Sequence, residues 1–110
     1  MLTKEIELKR YYTADELDNP FFVVVHAEGN VPTNLNPQLY DRVMNEIAAI
    51  KQGQDWTPMN DWPPSKIPEG VPRDRPILVC GFYDYVCVQE QRDSLRSVGY
   101  EAYISRQGTF

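Results

Sequence analysis

A chain of 110 residues with a net charge of −5, from 11 basic and 16 acidic side chains, reads as a single domain spanning 1–110. Its 42% hydrophobic and 25% charged content is ordinary for a globular protein and allows a core, with little to spare for a large internal pocket. The acidic balance argues against nucleic acid as a partner, because a phosphate backbone is held by clustered Lys and Arg.

Two cysteines, Cys80 and Cys87, do not make a secreted disulfide framework, and both read as reduced thiols. The single histidine, His26, rules out a standard Cys/His zinc site, so no metal or other cofactor is expected. The N-terminal MLTKEIELKR is charged and lacks the apolar centre of a signal peptide. No apolar run approaches transmembrane length. The expectation is a soluble, cytoplasmic protein that does not engage a membrane.

Glu5 to Lys9 alternates polar and apolar residues, which predicts a strand whose charges suit a sheet edge. Thr13-Ala14-Asp15-Glu16 has the capping-box pattern of a short helical turn, and Asp18-Asn19-Pro20 then breaks the chain. Phe21 to Val25 is wholly apolar and mostly β-branched, the pattern of a central strand buried on both faces. The C-terminal ends of parallel strands line a binding crevice, which makes His26 and Glu28 candidate site residues. Asn36 and Pro37 read as the cap and first residue of a helix. Leu39, Val43, Ile47 and Ile50 form its apolar face, with Tyr40 and Met44 beside them, and it ends near Gly53. The stretch 54–74 holds most of the nine prolines and both tryptophans without any period, which predicts an irregular loop. There Trp56 and Trp62, with Pro58, Pro63 and Pro64, either lie across the core as a lid or form an aromatic surface for a partner.

Arg75 to Arg106 reads as strand, turn, helix and strand in succession. Pro76 suits a strand start, Ile77 to Cys80 is a buried apolar run, and Gly81 ends it. Asp84 is placed to cap a helix whose first turn is Tyr85, Val86 and Cys87, with Val88, Leu95 and Val98 as its apolar stripe. Gly99 suits the helix end, and Tyr100 to Ser105 predicts the next strand, closing a right-handed βαβ unit. Tyr83 and Tyr85 flank Asp84 after Phe82. They either join Trp56 and Trp62 in an exposed aromatic patch with acidic neighbours or fold back onto the core. The fold class is therefore α/β: a small three-layer domain with a mostly parallel central sheet, an N-terminal edge strand and two main helices. FFVVV and ILVCG are its adjacent central strands, with YEAYIS beside them.

Cys87 is the best candidate for chemistry. A thiol in the first helical turn feels the positive end of the dipole and the free N–H groups, which favour thiolate. Its alternative role is a small core residue at the helix–sheet contact. VCGFYDYVCV followed by VGYEAYIS resembles the C-terminal part of the isochorismatase-like cysteine hydrolases, which include nicotinamidases. The resemblance covers the C-terminal third of the chain. It implies that Gly81 is the turn glycine and Cys87 the nucleophile, with Asp84 where the family usually has Thr or a similar small residue. That family pairs its Cys with an Asp at the end of the first central strand and with a Lys. Here His26 stands near the Asp position and no Lys lies in a matching context; a His can serve as base for a Cys, which makes a Cys87–His26 dyad chemically possible.

Two functions follow as expectations. The first is a non-catalytic binding or regulatory module, a reduced relative of that family. It docks on a protein partner through Trp56, Trp62, Tyr83 and Tyr85, with Asp84 and Glu28 at the crest, where a small ligand is the other occupant to consider. The second is a Cys-dependent hydrolase of a small amide or ester.

Overall fold

Five strands pair into one parallel sheet in the computed structural model, which describes residues 10–26, 37–60 and 66–110. They are β1 (Tyr11–Tyr12), β2 (Phe21–Val25), β3 (Trp56–Met59), β4 (Ile77–Gly81) and β5 (Ala102–Thr109), in the order β1-β5-β4-β2-β3. Helix α1 is Pro37–Lys51. Helix α2 is Gln89–Ser97, entered through a π-helical turn at Asp84–Val88. The three-layer α/β class, the adjacent central pair β2–β4 and the place of β5 beside β4 are as the sequence predicts. The edge strand expected at Glu5–Lys9, and the Asn36 cap, lie outside the described residues.

Pattern explains the centre. Every residue of β2 and β4 is buried, because parallel strands flanked by helices have no wet face. Phe22, Val24, Leu78 and Cys80 pack with Val43 and Ile47 of α1 on one side. Val23, Val25, Ile77 and Val79 pack with Cys87, Val88 and Leu95 on the other. The chain leaves β2 toward β3 and leaves β4 toward β5, in opposite directions along the sheet. Right-handed crossovers then require helices on opposite faces. The β2/β4 boundary is thereby the topological switch point, where ligand crevices form in such folds.

Three expectations need correction. The stretch 54–74 is not wholly irregular, since Trp56–Met59 forms β3 at a sheet edge. Phe22 N–H donates to the Asp55 carbonyl at 3.0 Å and His26 N–H to the Met59 carbonyl at 2.9 Å, so alternation turns Pro58 away from β2. Its missing N–H therefore weakens nothing and leaves the open edge one donor short. The stripe of α2 does not include Val98, which lies past the last turn and is 46% exposed. Gln91 is buried in its stead, its amide donating to the Lys66 carbonyl at 3.0 Å. Finally, β5 runs on to Thr109, past the predicted end at Ser105, and Phe110 N–H donates to the Gly81 carbonyl at 3.0 Å.

Two glycines are forced. A Cβ on Gly81 would sit 2.1 Å from the Val25 carbonyl oxygen, at a φ of +117°. Gly99, at φ +96°, closes α2: its N–H donates to Arg96 and that of Tyr100 to Leu95, the paired bonds of a Schellman end. Among the described residues, no helix is long and apolar enough to cross a membrane.

Candidate functional site

At the switch point the backbones of β2 and β4 meet closely. His26 leaves β2 with φ +58° and is buried, and burial holds its imidazole below the ordinary histidine range. Phe82 N–H donates to the Val25 carbonyl at 3.3 Å. The Phe82 ring is fully buried and stacks on Tyr40, with centroids 5.5 Å apart. Tyr83 leans edge-on against Phe82 and tilts toward Phe110. These two aromatics fold back onto the α1-side core.

Cys87 falls on the opposite side. It is 3% exposed, within the α2-side core. Burial pushes its thiol up and the charge of Glu90 adds to this, against a hydrogen bond with the Tyr83 backbone that lowers it. Desolvation here outweighs the pull of the helix start, so the thiol holds its proton. Cys80 faces the other core, pushed up to about 12 by burial, with its Sγ 3.8 Å from the Val23 carbonyl oxygen. The two cysteines thus sit on opposite faces of the sheet.

Asp84 is not the cap that its position suggests. Tyr83 occupies the cap position and no side chain bonds there. The Asp84 carboxylate is taken by two residues that lie 74 and 73 positions earlier in the sequence. Oδ1 accepts from Arg10 Nη2 at 2.7 Å, and Oδ2 accepts from the Tyr11 hydroxyl. A charge-assisted bond to a guanidinium is stronger than one to a neutral backbone N–H, which explains the choice. The hydrogen bond to Asp84 raises the Tyr11 phenol to about 12. Arg10 also donates from Nη2 to the Asp84 carbonyl at 3.2 Å and from Nη1 to Gln89 Oε1 at 2.9 Å. Its guanidinium carbon stands 3.9 Å from the Tyr85 ring centroid.

Tyr85 and Val86 are 67% and 57% exposed, side by side where the helical run begins. They head a shallow, wide-open groove of about 520 Å³ that continues along Gln89, Glu90, Asp93, Ser94 and Ser97, with no second element among the described residues walling it. Those positions recur at three and four residues, so the groove is the outward face of one helical run. Its start is aromatic and aliphatic, and its far half carries two carboxylates.

The structure therefore brings Asp84 and Tyr85 together with Arg10, Tyr11 and Gln89, which sequence reasoning missed. It leaves Trp56 apart. That ring is 38% exposed on edge strand β3, aligned with Phe22 near the start of β2, under the Lys51 ammonium at 3.2 Å. Trp62 and Glu28 lie outside the described residues. Among the described residues, no three His, Cys, Asp or Glu side chains gather as metal ligands would. The chain matches no family model, no curated protein and no solved structure.

Proposed function

We propose that this protein is a binding module without catalysis of its own, docking on a protein partner through the groove that starts at Tyr85 and Val86. The observation that carries this reading is the adjacent exposure of those two side chains at the head of an open groove. Aromatic residues on a rigid element are efficient interface anchors, because they bury much area for few frozen torsions. Glu90 in the same groove favours a partner segment with an apolar anchor followed by a basic group, while Asp93 is already paired with Arg92 at 2.9 Å. The protonated, buried Cys87 supports binding over Cys-dependent hydrolysis, and no geometry in hand favours the second.

A photo-crosslinking amino acid at position 86 in the native cell tests this. One dominant protein adduct is expected, lost on Tyr85→Ala and kept on Trp56→Ala. Absence of any adduct in folded, expressed protein would overturn the reading. An adduct that survives Tyr85→Ala but disappears on Trp56→Ala would move the interface to the β3 edge.

A further inference from the structure

The seat of Arg10 has the composition of a receptor. A carboxylate oxygen, a backbone carbonyl and a side-chain carbonyl accept from its two terminal nitrogens at 2.7, 3.2 and 2.9 Å. The Tyr85 ring covers its guanidinium carbon at 3.9 Å, and the Tyr11 ring stands at 5.6 Å. Tyr11, by donating to the other Asp84 oxygen, fixes the carboxylate that receives the cation. A planar fork of donors between acceptors in line and an aromatic face above is the recognition geometry of a guanidinium; a compact ammonium would use only part of it.

We propose that Asp84, Tyr85 and Gln89 form a guanidinium-binding site, that Arg10 fills it from within the same chain, and that an arginine of the partner competes for it. Two observations go beyond a plain structural ion pair. The Arg10 Nε is buried and has no hydrogen-bond partner among the described residues, so the resident cation leaves one of its donors unsatisfied there. A guanidinium arriving along another path need not inherit that defect. In addition, Tyr85 and Gln89 are shared: both contact Arg10 and both line the groove. A segment lying in the groove already touches two walls of the seat. Along the groove Asp93 is already paired with Arg92 at 2.9 Å, and Glu90 is the carboxylate that guides a basic segment toward the seat. Arg10 is then an internal latch whose release is coupled to docking.

The seat stands on this geometry alone, and only the identity of its competitor rests on the docking reading. The test uses ethylguanidinium, and N-acetyl-arginine amide as a second probe, on the full chain. Arg10→Ala should bind ethylguanidinium saturably, with amide shifts in heteronuclear NMR spectra centred on Asp84, Tyr85 and Gln89. Wild type should bind about tenfold more weakly, a difference of about 1.4 kcal/mol, since its seat is filled. Ethylammonium should be the poorer ligand, and Asp84→Asn added to Arg10→Ala should abolish the effect. Arg10→Met retains an apolar stem against Tyr85 should the alanine variant fold poorly. If both variants unfold, ethylguanidinium in the refolding buffer should restore them.

Uptake by Arg10→Ala no better than by wild type, equal uptake of ethylammonium, or no rescue of unfolded variants would each overturn the proposal. Crosslinking from position 86 reports separately on docking. A partner still captured when the seat binds no guanidinium would leave the docking reading intact and the latch refuted.

Discussion

The two helices cover the same sheet, yet they are used differently. α1 turns Val43 and Ile47 into the core, with Leu39, Tyr40, Met44 and Ile50 at its margins, and its apolar face is spent on packing. The run from Asp84 to Ser97 buries Cys87, Val88, Gln91 and Leu95 but leaves Tyr85 and Val86 in the open. A helix that places a glutamine in its core contact and aliphatic and aromatic side chains in water is not optimised for packing alone. The contrast separates a structural face from a face available for contact.

The contrast is sharpest in stability. Ile47→Ala and Leu95→Ala remove fully buried side chains on opposite sides of the sheet and should each cost about 2–5 kcal/mol, read as a lower urea midpoint. If Leu95→Ala cost far less than Ile47→Ala, α2 would be loosely attached and its groove would not be a fixed surface. Gln91→Leu removes the donor to the Lys66 carbonyl and should cost about 1 kcal/mol. A gain in stability instead would mean that this buried amide is kept for a reason other than packing.

Alkaline titration compares the sides in another way. Burial, with the charge of Glu101, raises the Tyr103 phenol on the α1 side from 10.0 to about 12. The folded state therefore holds a proton that the unfolded chain gives up first. This contribution is whole below pH 10 and is lost as pH rises toward 12, so the thermal midpoint should fall across that window. Tyr103→Phe should flatten the fall; an unchanged slope would assign it to other groups, Cys80 among them.

Two small effects complete the series. Cys87 in folded protein at pH 8 should react with iodoacetamide no faster than an unactivated thiol, and rapid alkylation would reopen the hydrolase reading. Val86→Ser should change stability by no more than about 0.5 kcal/mol while abolishing the adduct from a crosslinker placed at Ser94. A large loss of stability would make Val86 part of the fold.

Much of the architecture was legible because burial on two faces writes itself into FFVVV and ILVCG, and a 3.6-residue period into α1. β3 was not, since WTPM carries a proline that local reasoning takes as a breaker, and only its outward-facing edge position makes it harmless. Asp84 was recognised as a site residue but given the wrong partner. A cap is a local device that spacing can suggest, whereas Arg10 lies 74 residues away and nothing near Asp84 announces it. Of the aromatics, Tyr83 and Tyr85 are two positions apart, and the helical turn sends one to the core and the other outward, a split that composition cannot assign.

The pairing of β1 with β5 carries a consequence for synthesis. Tyr11 aligns with Ile104, so β1 is synthesised well before the strand that becomes its sheet neighbour. Until β5 arrives, Arg10 and Tyr11 have no strand to hold them beside Asp84. β2 gains its strand partners as β3 and β4 are made, but the seat for Arg10 is finished only when translation has passed β5. Long-range parallel pairing of this kind also slows folding, because its closure entropy is met before its contacts form. A shortened product of the same message that stopped before Ala102 would lack β5 and, with it, the means to hold Arg10 in place.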